Sequence, residues 1–125
     1  MNKITSKNPF IRLWNATGYS LKGLSAAFKH EQAFRLETYI LVILAPLTFY
    51  LTDNNIEQVL MIGSWLIVMI AELVNSAIEA VVDRFGGELH ELSGRAKDIG
   101  SAVVMVAVIL SGLTWALILC PRLLS

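Results

Sequence analysis

Cysteine is almost missing from this chain. Cys120 is the only one, so neither an intrachain disulfide nor a thiolate metal cage can form. An excess of charge is missing too: ten Lys and Arg balance ten Asp and Glu, which removes the bulk basic surface of a nucleic-acid binder. There is no G-x-x-x-x-G-K-S/T loop, no G-x-G-x-x-G, no H-E-x-x-H and no G-x-S-x-G. Gly18 and Gly23 bracket Tyr19–Lys22, but inside a helical pattern they make a weak phosphate loop. Any nucleotide chemistry therefore lies outside the common soluble designs. Met1 to Pro9 is polar and lacks the apolar core of a signal peptide, so the membrane segments themselves are expected to direct insertion.

Apolar residues fill the space. They make up 55% of the 125 residues against 16% charged, with mean hydropathy +0.61. That balance points to one membrane domain over residues 1–125. Pro9 suits a first helical turn, and Trp14, Thr17, Leu21, Leu24 and Phe28 recur at three- and four-residue steps, with Arg12, Asn15, Tyr19, Lys22 and Lys29 opposite. The pattern predicts an amphipathic surface helix over about 9–30. Transmembrane helices are expected at about 34–52, 56–85 and 97–120. Pro46 favours a kink in the first, Asp53 or Asn54 caps the second, Gly86-Gly87 breaks it, and Pro121 ends the third. Gly100, Ser101, Ala107, Ser111 and Gly112 permit close helix packing. The fold class is thus an all-α membrane protein, a surface helix plus three transmembrane helices. Cations precede the first span and lie between the second and third, so the N-terminus and the 84–98 loop are expected in the cytoplasm and the C-terminus outside.

The second span carries acids where lipid is expected. Glu72, Asn75, Ser76, Glu79 and Asp83 fall on one narrow stripe at about 100° per residue. A carboxylate near a bilayer centre costs roughly 2.5–3.5 kcal/mol. A deep Glu72 is a candidate general base, and Glu79, nearer the boundary, a candidate ligand for a hard cation such as Mg²⁺. A polar seam joining helices is the plain alternative. The stretch Glu88–Asp98, a dense polar loop or helix start, combines His90, Arg95 and Lys97 with acids, suited to gripping phosphates or simply a solvated charged segment that fixes topology. Glu31 and Arg35 are spaced for a surface ion pair, or Glu31 is a further metal-facing carboxylate. A proton- or cation-conducting subunit accounts for the intramembrane acids but not for the adjoining cations; a structural subunit held by polar seams is the remaining rival.

The run Glu72-Leu-Val-Asn-Ser-Ala-Ile-Glu-Ala-Val-Val-Asp-Arg84, followed by His90-Glu-Leu-Ser-Gly-Arg-Ala-Lys-Asp98, closely resembles the signature of the prokaryotic diacylglycerol kinases. The likeness extends to Ala16–Ser20 and Glu31–Arg35; Gln32 and Leu89 depart from it. It implies a homotrimeric inner-membrane bundle that transfers the γ-phosphate of MgATP to diacylglycerol, giving phosphatidic acid. Glu72 matches the catalytic base, and Glu31 and Glu79 the Mg²⁺ ligands. ATP contacts would come from Arg12, Tyr19, Glu31, Glu79, Glu88, Leu89, His90, Lys97 and Asp98. Lipid contacts would come from Arg12, Ala16, Gly18, Tyr19, Ser20, Ala33, Phe34, Arg35, Glu37, Glu72, Ser101 and Trp115, with Asn75, Ser76 and Asp83 in support. A sister branch prefers undecaprenol, whereas Ser93–Asp98 is more similar to the diacylglycerol branch. The expected partners are ATP, the lipid alcohol, membrane lipids and further copies of the chain.

Overall fold

A computed structural model describes residues 6–86 and 90–125. Glu88 and Leu89, both assigned above to ATP, lie outside the described residues. Four helices follow in order: α1 (Pro9–His30), α2 (Gln32–Leu51), α3 (Asn55–Arg84) and α4 (Glu91–Leu123), with no strand among the described residues. The last three are long and apolar enough to cross a membrane.

Local chemistry sets the ends. The Asn8 side chain accepts the Phe10 N–H at 2.9 Å, and Pro9 enters at the first turn, where its missing N–H costs nothing. A single residue, Glu31 (φ −110°, ψ 106°), separates α1 from α2. Pro46 lies inside α2, which continues to Leu51. Asn54 caps α3 by accepting the Ile56 and Glu57 N–H groups at 2.9 and 3.1 Å. Beyond α3, Gly86 takes φ +86°, a left-handed conformation that favours glycine.

α4 departs from expectation at both ends. It begins at Glu91, ahead of the span expected from about 97 and within the stretch read as loop or helix start, because His90 Nδ1 accepts the Leu92 N–H at 3.0 Å and Glu91 pairs with Arg95 one turn on at 3.4 Å. Pro121 does not end it. The helix runs to Leu123 and closes the Leu124 N–H onto the Cys120 carbonyl at 3.1 Å, since one missing N–H in a last turn removes only one bond.

The core is thin and centred on α3. Val68, Ala71 and Ala107 pack α3 against α4, and Ser64 Oγ meets Ser111 Oγ at 3.1 Å. Ala27, Phe34 and Met69 join α1, α2 and α3. Trp65 touches both clusters and donates its indole N–H to the Glu37 carbonyl at 3.0 Å. Apolar side chains such as Val42, Ile43, Val106 and Leu117 face outward, as suits helices solvated by lipid or covered by other subunits. At the end remote from Arg84, Arg122 pairs with Glu57 and donates to the Leu51 carbonyl at 3.1 Å, while Thr52 donates to Glu57 at 2.7 Å.

Candidate active site

The stripe on α3 faces protein. Glu72, Asn75 and Ser76 are buried, Glu79 is half-buried and Asp83 is exposed. Asn75 donates its amide N–H to Glu79 Oε1 at 3.3 Å. It is accommodated by Gly100 on α4: a Cβ there would overlap Asn75 Oδ1. Thus a small residue in the packing series is also the socket for a polar side chain, a role that helix periodicity cannot reveal.

Acids from other elements converge on this stripe. The charges of Glu79 and Glu31 both act on Glu72, and Glu72 in turn acts on Glu37 of α2. Glu31, left unplaced by the sequence, therefore shares a neighbourhood with Glu72 and Glu79. Three buried oxygens have no hydrogen-bond partner among the described residues: Glu37 Oε1, Asn75 Oδ1 and Ser76 Oγ. Buried oxygens of this kind ordinarily find a donor or a ligand.

Cations adjoin the acids at one end of the bundle. Lys97 Nζ lies 2.7 Å from Asp83 Oδ1 and within electrostatic reach of Glu79. A cavity of about 730 Å³ is lined there by Asp83, Gly86, His90, Ser93, Gly94 and Lys97. The capping bond uses His90 Nδ1 as an acceptor and leaves Nε2–H as the ring's donor. Arg95, the other expected phosphate grip, is instead paired with Glu91 on the surface. Asp98 is exposed.

A second, more apolar groove of about 640 Å³ runs between α1 and α3 and is lined by Ser20, Gly23, Ala27, Glu31, Ser76 and Ala80. Of the residues expected at the lipid, Ser20 therefore shares a groove with Glu31. Phe34 is buried in the core cluster beneath it, and Glu37 is buried beside Trp65. Arg35 forms no ion pair with Glu31 among the described residues; its guanidinium turns back to the Phe28 and Lys29 carbonyls at 2.8 and 3.1 Å. A helix C-terminus leaves such carbonyls unpaired, and they outcompete a solvated carboxylate. Arg12, Gly18, Ala33 and Ser101 are exposed, Ala16 and Tyr19 half-buried, and Lys22 Nζ stands 5.8 Å from the Tyr19 ring centre. Trp115 donates to the Met61 carbonyl at 3.0 Å, eleven residues from Glu72 along α3, or about 16 Å.

The site thus offers a buried carboxylate, further acids, an adjacent ammonium and an apolar groove. Comparison with known proteins agrees with that chemistry. The family model described as prokaryotic diacylglycerol kinase matches residues 18–119. A protein of Haemophilus influenzae named diacylglycerol kinase is 58% identical over 107 residues, covering 86% of this chain and 91% of that protein. Proteins of the same name from Escherichia coli strain K12 and Pseudomonas aeruginosa are each 51% identical, covering 88% and 86% of this chain and 90% and 88% of their own. The matched stretch takes in the acid stripe of α3, the Lys97 end of α4 and most of the surface helix, and the chain belongs to the prokaryotic diacylglycerol kinase family.

Proposed function

We propose that the chain transfers the γ-phosphate of MgATP to the hydroxyl of diacylglycerol, giving phosphatidic acid, at the cytoplasmic edge of the membrane. The observation that carries this reading is the buried Glu72 carboxylate, within reach of Glu31 and Glu79, with Lys97 close to Glu79.

Helix length supports the depth. α3 has 30 residues, about 45 Å, against a hydrocarbon thickness of about 30 Å. Counted from the tight turn before Asn55, an upright α3 leaves hydrocarbon near Asn75. Glu72 then sits just inside the boundary, where a lipid hydroxyl resides, and Glu79, Asp83 and Lys97 sit in the polar layer, where phosphates reside. The surplus of cations at that end makes it the cytoplasmic one.

Glu72 accepts the hydroxyl proton as the lipid oxygen attacks. Lys97, with Arg12 and His90, holds the phosphates. Glu31 and Glu79 would hold Mg²⁺, which supplies positive charge against the transferring phosphoryl group. Among the described residues no three His, Cys, Asp or Glu side chains stand close enough for a protein-only metal cage. That suits Mg²⁺, which binds through one or two carboxylates together with substrate phosphates, and the donors here are hard oxygens, the unpartnered Asn75 Oδ1 among them. Positioning and charge account for the acceleration; little covalent work falls to the protein. The apolar groove beside Glu31 suits acyl chains entering from the bilayer. The site is open on one side, so neighbouring subunits of a homotrimer complete it.

The test uses purified protein in mixed micelles with Mg²⁺, labelled ATP and either diacylglycerol or undecaprenol. Phosphatidate is the expected product. Glu72→Gln should keep the trimer and lose turnover. Ion flux in liposomes without ATP consumption, or full activity of Glu72→Gln, would refute the assignment.

A further inference from the structure

Arg35 grips both sides of the break between α1 and α2. Its backbone N–H donates to the Glu31 carbonyl at 3.1 Å, opening α2. Its guanidinium Nη1 donates to the Phe28 and Lys29 carbonyls at 2.8 and 3.1 Å, closing α1. Between them stands one non-helical residue, Glu31, whose side chain lines the groove against α3 and whose charge acts on Glu72.

A one-residue linker leaves two soft dihedrals to set where the Glu31 carboxylate points. The Glu31 N–H bond to the Ala27 carbonyl at 2.9 Å anchors its α1 side and the Arg35 N–H bond to its own carbonyl the α2 side, but neither bond spans the break. The Phe28 and Tyr39 rings meet edge-on at 6.0 Å, which resists gross splaying but has no directional hold on residue 31. The Arg35 guanidinium supplies the hold across the break, because a cationic donor on the unpaired carbonyls of a helix end makes strong charge-assisted bonds.

We propose that Arg35 is a positioning residue: by tying the last carbonyls of α1 to the first turn of α2, it aims the Glu31 carboxylate at Glu72 and Glu79, and it is not a lipid contact. This rests on the kinase reading above, in which Glu31 holds the metal.

The experiment uses full-length protein in micelles, with helix content and oligomeric size checked for each variant. Binding of Mn²⁺ in the presence of a non-hydrolysable ATP analogue is read by electron paramagnetic resonance, without turnover. The KM for dioctanoylglycerol is read separately. Arg35→Gln should raise the half-saturating Mn²⁺ roughly tenfold, the range typical of groups that orient a metal ligand. Arg35→Lys, which keeps a donor and the charge, should recover part of the loss. The lipid KM should stay within about twofold. In a Glu31→Gln background, Arg35→Gln should add no further loss, because the two act through one carboxylate. Unchanged Mn²⁺ binding with a raised lipid KM would overturn the proposal, as would additive losses in the double variant. Should Arg35→Gln fail to fold, Arg35→Lys carries the same comparison. A wild-type protein that makes no phosphatidate in these micelles defeats the kinase reading itself. An active wild type with Mn²⁺ binding indifferent to both substitutions defeats only the role of Arg35.

Discussion

Gly100→Ala separates folding from catalysis at a single methyl group. Gly100 is buried in α4, and a Cβ there overlaps Asn75 Oδ1 and comes within 3.4 Å of Asn75 Cγ. In a helix interior alanine is favoured over glycine by roughly 0.8–1.0 kcal/mol. Overpacking a filled site costs about 1–3 kcal/mol, the lower end where the obstructing atom terminates a rotatable side chain, as Oδ1 does. The terms nearly cancel, so stability should change by about 1 kcal/mol or less. Asn75 must still rotate away, and its 3.3 Å bond to Glu79 Oε1 is lost. A ligand left without its orienting partner loses roughly 10- to 100-fold in metal affinity or activity. The assay is phosphatidate formation against Mg²⁺ concentration, paired with thermal unfolding in detergent. Gly112→Ala on the same helix, where a Cβ meets nothing within 4 Å, is the control and should keep full activity. Combining Gly100→Ala with Asn75→Ala should relieve the overlap without restoring turnover. Wild-type activity in Gly100→Ala at limiting Mg²⁺ would refute the reasoning.

Three further outcomes follow from the same geometry. Lys97→Ala removes the ammonium beside Asp83 and should raise the KM for ATP more than that for lipid; the opposite pattern in steady-state kinetics would move Lys97 to the lipid site. Glu79→Ala should weaken the dependence on Mg²⁺, and an unchanged metal titration would remove it as a ligand. Glu57→Gln at the far end weakens the ion pair with Arg122, whose side chain is 42% exposed, so the loss should be about 1 kcal/mol or less, seen as a modest drop in Tm with kcat intact.

Much of the active stripe was legible because helical periodicity is a local rule. Glu72, Asn75, Ser76, Glu79 and Asp83 share a face wherever the helix is placed, and Asn54 caps α3 from three residues away at most. What escaped the sequence depends on single residues or on distant partners. The end of the surface helix at His30 was legible from the polar junction that follows, but not that α2 resumes at Gln32 after the single residue Glu31. The charged stretch after His90 is equally readable as loop or helix start, and the cap decides it: Glu, Leu, Arg, Ala and Lys are good helix formers once His90 supplies the first bond. Trp65 and the Glu37 carbonyl are 28 residues apart, and Arg122 and Glu57 are 65 apart; no local pattern announces either meeting. Arg35 misled because its spacing to Glu31 fits an ion pair, whereas the unpaired carbonyls of α1 exist only once the chain has turned.

The remaining asymmetry is between the helices. α3 buries eight residues, while α4, three residues longer, buries only Gly100, Ala107 and Ser111. An outward-facing leucine or valine is at home in lipid, so the bare flank of α4 alone demands no partner. The unpartnered oxygens of Glu37 and Ser76 are a different matter, because a buried oxygen ordinarily finds a donor. A diacylglycerol headgroup offers a hydroxyl donor of its own, and it is present only while substrate is bound. Between turnovers those oxygens need a donor from protein or trapped water. Trapped water is the donor small enough to reach atoms with no exposed surface, and on the proposed function a neighbouring copy closes the open side of the site around it. On the proposed function the assembly completes a site that one copy leaves open, so dissociating the trimer in detergent should cost phosphatidate formation while leaving helix content unchanged; full activity in a monomer would refute it.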